Sequence, residues 1–187
     1  MHEFVKHFLK ENIQLIDDEN WTQLYNVARA AFSYADRMGQ MTEFIMSCGC
    51  NLFEGKNRLE TIPTAFLSST GKEQFTIPEH ITSIGFCAFA HCNFKEITIP
   101  SNVTEIKRMA FLNNNKLEHI TINTTKLPVG STELVFKDCI NIIDVKFAGT
   151  MDQWRATKPA IELRMDTYVV CSDGTITYDE DGEEVRA

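Results

Sequence analysis

Two consecutive stretches of the chain decide its fold, because they are copies of each other. Residues 77–99 read IPEHITSIGFCAFAHCNFKEITI, and residues 99–122 read IPSNVTEIKRMAFLNNNKLEHITI. Phe89 matches Phe111 at an offset of 22 residues. An internal repeat of this length is typical of solenoids, in which each unit buries its apolar face only by stacking on its neighbours.

Two weaker copies flank this pair, which gives about four repeats over residues 58–150. Apolar residues alternate near the end of each copy, and this period of two predicts a short strand with one buried face. The alternating pairs lie at 75/77, 97/99, 120/122 and 145/147. Between the strands, stretches such as Ser83–His91 and Glu105–Asn113 suit a helical turn. The sequence therefore predicts an α/β fold, a short solenoid of about four strand-helix repeats.

A small polar or thiol side chain follows each repeat phenylalanine after three residues. Asn or Cys at such a position sits inside the turn, where it satisfies backbone groups of the coil. The four positions are Ser69, Cys92, Asn114 and Cys139. We therefore predict that these cysteines are buried and structural, rather than catalytic or metal-binding.

The pattern Ile-Pro-x-x-Val/Ile-Thr-x-Ile-x-x-x-Ala-Phe-x-x-Cys/Asn closely resembles the treponemal-type, BspA-like leucine-rich repeat. The resemblance covers residues 58–150, about half of the chain. It implies a leucine-rich-repeat solenoid that binds proteins or surfaces, and many members of the family are secreted adhesins. The sequence departs from those adhesins in its small number of repeats and in showing no export signal.

Residues 1–57 are expected to form a helical N-terminal cap. Apolar residues recur at helical spacing in three stretches. The first is His2–Glu11, the second runs from Trp21 to Phe32, and the last runs from Met41 to Cys48. A solenoid needs its open end covered, so we predict that these helices cover it. A separate partner-binding or dimerising unit is the alternative.

Residues 151–178 are expected to cap the other end of the solenoid. A helix is predicted to begin near Thr150 and to fold Trp154 onto the last coil. Asp173-Gly174 between two β-rich runs predicts a β-hairpin with a type I′ turn, which requires positive φ. The Phe-x-Gly-Thr-x-x-x-Trp segment also resembles the terminal segment of BspA-like proteins.

Acidic charge is concentrated in an acidic tail, residues 179–187. The 187-residue chain has a net charge of −8, and residues 178–187 hold five acidic residues and one arginine. This balance argues against a large phosphate-binding surface, so we expect no direct nucleic-acid binding. The tail is expected to be solvated and frayed; the alternative is an electrostatic lure for a basic partner.

The sequence contains no catalytic or cofactor motif: it has neither a Gly-rich phosphate loop nor a nucleophile elbow. Zinc at Cys48-x-Cys50 and calcium near Asp173 both lack the ligand spacing of such sites. No run approaches the ~18 apolar residues of a membrane span. We therefore expect no enzyme activity, metal, cofactor or membrane partner. The enzymatic alternative is a cryptic Cys–His dyad, for example Cys87 with His91.

The exposed face of the strands is the candidate partner-binding site. Aligning the four strands places two columns of side chains outward. The first column comprises Gln74, Glu96, His119 and Asp144, and the second comprises Thr76, Thr98, Thr121 and Lys146. The first is the better candidate, because strands do not require its charges, whereas threonine favours strands. The histidine between two carboxylates also predicts binding that depends on pH between roughly 6 and 7.

We therefore expect a non-enzymatic protein–protein interaction module that acts in the cytoplasm. The helical preface and few repeats resemble small proteins encoded by phages and other mobile elements. This resemblance implies an effector that binds and inhibits a host defence or nucleic-acid-processing protein. The alternative is a structural or surface protein, either a virion decoration or an adhesin. The identity of the partner and the formation of a homodimer are left open.

Overall fold

The computed structural model describes residues 7, 11, 36–47, 52–54, 58–125, 134–157, 167–179 and 183–185. Within these ranges the chain coils into a β-solenoid of about four turns. Its elements, in chain order, are α1 (Asp36–Ser47), β1 (Thr61–Ile62), β2 (Ser83–Ile84), β3 (Glu96–Ile99), β4 (Glu105–Ile106), β5 (His119–Ile122), β6 (Asp144–Phe147), α2 (Met151–Thr157), β7 (Tyr168–Cys171), β8 (Gly174–Tyr178) and β9 (Glu184–Val185).

Two sheets run along the stacked coils. The long sheet has six strands in the order β3-β5-β6-β7-β8-β9, and the short sheet has three in the order β1-β2-β4. Strands from successive coils pair in parallel within each sheet, and only the pairings β7–β8 and β8–β9 are antiparallel. Side chains that alternate inward from both sheets form the buried core between them.

The helical turns predicted between the strands are wrong. Ser83–Ile84 and Glu105–Ile106 are strands of the short sheet, and the residues that follow them form tight turns. Each turn contains two residues with a left-handed backbone, which ends any helix. The described non-glycine residues of this kind are Ala65, Ser69, Cys87, His91, Met109, Asn113, Leu134 and Asp138. Apolar spacing of three and four suggested helices, but a turn of this shape produces the same spacing.

The turns are linked to each other by backbone hydrogen bonds from coil to coil. Phe89 N donates to Ala110 O at 2.7 Å, and one coil further on Phe111 N donates to Val135 O at 2.9 Å. Because the left-handed residues rotate these N–H groups out of the local turn, the groups bond across coils as in a sheet. The turns therefore stack with the same register as the strands.

The strand predicted at 75/77 is not formed, since residues 74–77 belong to neither sheet. In the next coil, Asn123 N donates to Ile99 O at 2.9 Å and so extends the pairing of β3 with β5. The residue equivalent to Asn123 in the preceding coil is Pro100, which has no N–H to donate. One of the backbone hydrogen bonds that would pair residues 74–77 with β3 is therefore missing.

The predicted column of small polar and thiol side chains is confirmed at three of its four positions. Cys92, Asn114 and Cys139 are buried, and each donates to a carbonyl of the preceding coil. The acceptors are Leu67 O, Phe89 O and Phe111 O, at 3.2, 2.8 and 3.1 Å. We call this column the inner ladder, because its hydrogen bonds tie each buried turn to the one before it.

The fourth position of the inner ladder is Thr70, so the prediction of Ser69 is wrong by one residue. Thr70 Oγ1 donates to Leu67 O at 2.8 Å and lies 3.9 Å from Cys92 Sγ. Ser69 instead has a left-handed φ of 58°, as the equivalent His91 does at 55°. The first copy carries Leu67 where the later copies carry phenylalanine, and matching Phe66 to those phenylalanines displaced the alignment.

Aromatic rings stack through the core along the solenoid axis. The ring centroids of Phe89 and Phe111 are 5.2 Å apart, and those of Phe111 and Phe136 are 4.9 Å apart with an interplanar angle of 6°. Aromatic pairs of this kind contribute about 0.5–1.5 kcal/mol each beyond the area they bury. The repeat phenylalanines therefore stabilise the stacking of coils as well as filling the core.

The last of the predicted N-terminal helices is present as α1, which begins at Asp36 and ends at Ser47. Gly39 packs against the first described coil: a Cβ there would lie 2.7 Å from Thr70 Cγ2 and closer still to Ser68 O. Positions 7 and 11 are helical, while the rest of the first predicted helix, all of the second, and Cys48-x-Cys50 lie outside the described residues. Helix α1 thus packs on the first turn as a cap would.

The predicted C-terminal helix and hairpin are present. Helix α2 buries Trp154 against Phe147, with ring centroids 5.3 Å apart. In the hairpin, however, Cys171 pairs with Gly174, so the loop residues are Ser172 and Asp173. None of the loop residues has positive φ, and the predicted type I′ Asp-Gly turn is therefore wrong.

Contacts with helix α2 explain why the hairpin turn differs from the prediction. Asp173 Oδ1 accepts a hydrogen bond from Met151 N at 2.8 Å, at the first residue of α2. A Cβ on Gly174 would lie 2.9 Å from Met151 Cε. Asp173 therefore serves as a helix cap, and Gly174 makes room for the methionine side chain. These roles, rather than a left-handed turn, explain the Asp-Gly pair at this position.

Two residues of the acidic tail form β9, so the expectation of a frayed segment is wrong for these two residues. Glu184–Val185 pairs antiparallel with β8. Arg155 of helix α2 donates to Glu184 through Nε at 2.9 Å, and Glu183 N donates to Asp179 Oδ1 at 2.9 Å. Backbone pairing and a bidentate ion pair therefore hold residues that the charge pattern alone placed in solvent.

The inner ladder predicts how Asn114 variants will unfold. Asn114→Leu removes the donor to Phe89 O and Phe111 O, both at 2.8 Å. Phe111 O keeps the Cys139 thiol as a donor, so the buried Phe89 carbonyl loses its side-chain partner. We expect a loss of about 1–3 kcal/mol in the free energy of unfolding by urea. Asn114→Cys is the matched control and should lose less, because cysteine occupies this position in the neighbouring coils. Equal losses in the two variants would contradict the role of the hydrogen bonds.

The packing of α1 predicts that Gly39→Ala destabilises the protein, although alanine is the better helix former. The added methyl group would meet Ser68 O and Thr70, and we expect a net loss of about 1–3 kcal/mol. Thermal unfolding followed by circular dichroism measures the effect. Gln40→Ala, at the exposed neighbouring position, should be neutral or slightly stabilising. A neutral Gly39→Ala would mean that α1 does not pack tightly on the first coil.

Candidate partner-binding surface

The long sheet brings most of the two predicted columns together. Glu96, His119 and Asp144 are neighbours across β3, β5 and β6, and Thr98, Thr121 and Lys146 form the second column in the same register. Gln74 and Thr76 are exposed but lie outside the sheet. Aligning the repeats therefore gave the correct register for β3, β5 and β6. The strand predicted to carry Gln74 and Thr76 is not formed.

Exposure divides the columns in a way that the sequence did not indicate. Glu96, Thr98, His119 and Lys146 are exposed and Thr121 is half-buried, whereas Asp144 is only 6% exposed. The prediction that Asp144 is an exposed contact residue is therefore wrong. Its carboxylate accepts a hydrogen bond from His119 Nδ1 at 2.5 Å. A buried charge requires such a partner. The same hydrogen bond holds the His119 ring in place at the surface.

The His119 side chain lies between the buried Asp144 carboxylate and the protein surface. This side chain is 47% exposed, and its Nε2 lies 3.9 Å from Glu118 Oε2. The ring nitrogen next to Asp144 is occupied, so Nε2 is the nitrogen available to a partner. The imidazole is therefore held in one orientation within the sheet.

The exposed sheet continues beyond the predicted columns into the hairpin and β9. Tyr168 pairs with Asp144 and with Thr177, which in turn pairs with Val185. The second column continues through Val170 and Thr175 in the same way. We define the outer face as these exposed and half-exposed residues: Glu96, Thr98, His119, Thr121, Lys146, Tyr168, Val170, Thr175, Thr177 and Val185.

The hairpin residues of the outer face were missed because the hairpin was interpreted only as a cap. The signal was available, since Tyr168-Val-Val-Cys171 alternates with a period of two in the same way as the repeat strands. Tyr168, Val170 and Val185 are 39%, 38% and 49% exposed. Aromatic residues are enriched in protein interfaces, so this end of the outer face adds apolar contact area to the polar columns.

The outer face carries little charge. Among its ten residues the acidic and basic side chains are Glu96, Lys146 and His119. A phosphate-binding surface would need clustered lysine and arginine, and the face has a single lysine. Its threonine, valine and tyrosine side chains are instead typical of contacts with another protein.

Cys87 and Cys92 lie in surroundings that suit a structural role. Burial raises the pKa of Cys92 to about 12, although its hydrogen bond with Thr70 opposes this shift. Burial also raises the pKa of Cys87, and the nearby Arg108 only partly offsets it. His91 Nδ1 is hydrogen-bonded to Asn113 Nδ2 at 2.8 Å. The proposed Cys87–His91 dyad thus has a thiol that is harder to ionise and a histidine paired elsewhere.

In the described ranges, no cluster of three or more His, Cys, Asp or Glu side chains is arranged to hold a metal ion. The helices of this part of the chain are also too short or too polar to cross a membrane.

Comparison with protein families agrees with the repeat geometry. The model of the BspA type leucine rich repeat region matches residues 60–156 in six copies, which is more than half of the chain. The chain belongs to this family. The match begins just before β1 and ends within α2, so it spans the solenoid coils and the start of the C-terminal helix. Membership is consistent with a non-enzymatic module for protein interaction or surface attachment.

Solved structures include two similar leucine-rich repeat proteins. A leucine-rich repeat protein from Bacteroides ovatus is 29% identical, with a TM-score of 0.39 over 47% of this chain and 23% of its own. A leucine rich cell surface protein from Faecalibacterium prausnitzii is 23% identical, with a TM-score of 0.43 over 59% and 35%. The chain therefore spans about a third or less of these proteins' length. No curated protein matches it.

The placement of the cysteines predicts selective protection from alkylation. A pH of about 8 is far below the Cys92 pKa of about 12, so the thiol is protonated and weakly nucleophilic. We expect iodoacetamide to leave Cys92 and the buried Cys139 unlabelled in the folded protein, with Cys87 labelled first among these three. Peptide mass spectrometry measures the labelling, and the same reaction in urea is the control. Equal labelling of Cys92 with and without urea would contradict its burial.

Proposed function

We propose that the chain is a protein–protein interaction module that binds its partner through the outer face of the long sheet. The observation that carries this proposal is the continuous exposed face across six strands, in which an apolar end formed by Tyr168, Val170 and Val185 adjoins a polar end around His119. Interfaces commonly combine an apolar part with polar groups that set specificity.

The geometry favours this surface over the acidic tail as the point of contact. Glu184 of the tail is paired with Arg155, and its backbone is part of β9. The tail is therefore less available as a free acidic lure than its charge suggests. By contrast, the outer face has no structural need for the exposed Tyr168, since threonine or valine would serve its strand equally well.

The test is affinity capture of the tagged protein from lysate of its natural host, followed by mass spectrometry. The outer-face variant is Thr98→Lys/Thr175→Lys, which adds bulk and charge at two exposed strand positions. The matched control, Thr82→Lys/Thr104→Lys, places the same substitutions beside the short sheet. Circular dichroism and thermal unfolding first establish that both variants are folded.

We expect one stoichiometric protein partner, lost from the outer-face variant by about tenfold or more in affinity and retained by the control. A partner retained by both variants would move the contact to α1, the caps or the tail. The absence of any partner would contradict the interaction module. Substituting Asp144 would not serve this test, because Asp144 is buried and bonded to His119, so its loss changes the fold as well as the surface.

A narrower form of the proposal concerns the kind of partner and its place. In this form the module acts in the cytoplasm as a phage-type effector that inhibits a host defence protein. It predicts that the captured partner is a defence or nucleic-acid-processing protein whose activity falls when the module is added. The alternative, a virion decoration or adhesin, predicts recovery of the protein in purified particles or on the cell surface.

A further inference from the structure

A buried carboxylate lies directly beneath an exposed imidazole in the middle of the outer face. Asp144, 6% exposed, accepts a hydrogen bond from His119 Nδ1 at 2.5 Å. The two residues are lateral neighbours on the parallel strands β5 and β6, so the sheet itself fixes their separation. The pair is therefore positioned by the fold and does not depend on the chance meeting of flexible side chains.

This arrangement determines where the imidazole proton resides. A carboxylate can only accept a hydrogen bond, so Nδ1 must carry a proton when it bonds Asp144. In the neutral ring the other nitrogen, Nε2, then has a free lone pair and is an acceptor. When the ring takes up a second proton, Nε2 becomes a donor while Nδ1 keeps its bond to Asp144. The exposed nitrogen thus reverses its hydrogen-bonding role without moving.

Other charged and titratable groups around the ring come from each neighbouring strand. Glu96 lies beside His119 on β3, and Glu118 Oε2 is 3.9 Å from Nε2. Lys146 and Tyr168 adjoin Asp144 on β6 and β7. Glu96, Glu118, Lys146 and Tyr168 are partly or largely exposed, so water and salt screen them. Asp144 differs from them because it is buried and bonded to the ring.

We propose that the His119–Asp144 pair is a pH-responsive contact point of the outer face, in which the buried carboxylate holds the proton on Nδ1 and Nε2 changes from acceptor to donor as the ring is protonated. Histidine undergoes this change between about pH 5 and pH 8. A partner that donates to Nε2 is bound more tightly at the upper end of this range, and a partner that accepts from it at the lower end. The pair therefore makes recognition depend on pH.

The first test examines the free protein and requires no partner. Two-dimensional NMR that correlates imidazole protons with ¹⁵N identifies the protonated ring nitrogen of each histidine. At about pH 8 we expect His119 to be in the Nδ1–H form. Asp144→Asn, whose amide can donate as well as accept, should abolish this preference if the variant remains folded. Glu96→Gln, which alters the carboxylate on the other side of the ring, should retain it.

If Asp144→Asn fails to fold, the wild-type spectrum still decides the outcome. An Nε2–H form of His119 at about pH 8 would overturn the proposal, as would an Nδ1–H form that persists in folded Asp144→Asn. Two exposed histidines serve as internal references: His91, which pairs with Asn113, and His7, which pairs with Glu11. Neither faces a buried carboxylate.

The second test rests on the proposed function and uses the partner recovered by affinity capture. We expect the dissociation constant to change by about tenfold between pH 5 and pH 8, since one hydrogen bond with a charged group is gained or lost. His119→Gln should remove this change, and His91→Gln, at an exposed histidine outside the outer face, should keep it. A flat profile in the wild type would overturn the proposal. If no partner is captured, the proposed function fails while the NMR test still decides the state of the pair.

Discussion

The repeated turn, with its two left-handed residues, is the constraint on which the stacked coils depend. Left-handed backbone is costly for residues with a side chain, and the described turns each hold two of them. The geometry directs N–H groups such as that of Phe89 toward the next coil, where they find carbonyl partners. Because each turn bonds to its neighbour, the cost of the strained residues is offset only when the coils are stacked.

The inner ladder and the outer face are two results of the same stacking. Coils that keep one register place equivalent side chains above one another at the spacing of β-strands, about 4.8 Å. Inside the turns, this repetition lets Cys92, Asn114 and Cys139 each reach the carbonyl of the coil before. On the long sheet, it sets His119 beside Asp144 and so bonds an exposed imidazole to a buried carboxylate.

Much of this architecture is available from the sequence, because the repeat and the period of two are both local patterns. The offsets between Ile84 and Ile106 and between Phe89 and Phe111 fix the register of strands and turns. The turn conformation is not available in the same way. Left-handed φ at residues such as Cys87 and Met109 follows from bonds between coils, and neither residue type favours it alone.

The candidate surface was predictable in its columns and less so in its extent and burial. Alternation places Asp144 outward, but alternation cannot show that a neighbouring histidine bonds its carboxylate and that the carboxylate becomes buried. The inclusion of the hairpin in the outer face was also not predictable from local patterns. Pairing of Asp144 with Tyr168 depends on where the chain returns to the sheet after α2, which is a matter of tertiary structure.

The antiparallel hairpin has a consequence for how such a protein changes length in evolution. Strand β8 reverses direction, and helix α2 is tied to it by the hydrogen bond from Trp154 Nε1 to Tyr178 OH. A parallel coil therefore cannot be added after β8, whereas a duplicated unit of 22 residues inserted between the coils at Ile84 and Ile106 would keep every register. Each insertion would move the hairpin outward by about 4.8 Å and add one strand to the short sheet. Gene duplication within the array can thus lengthen the solenoid while both capping contacts stay unchanged.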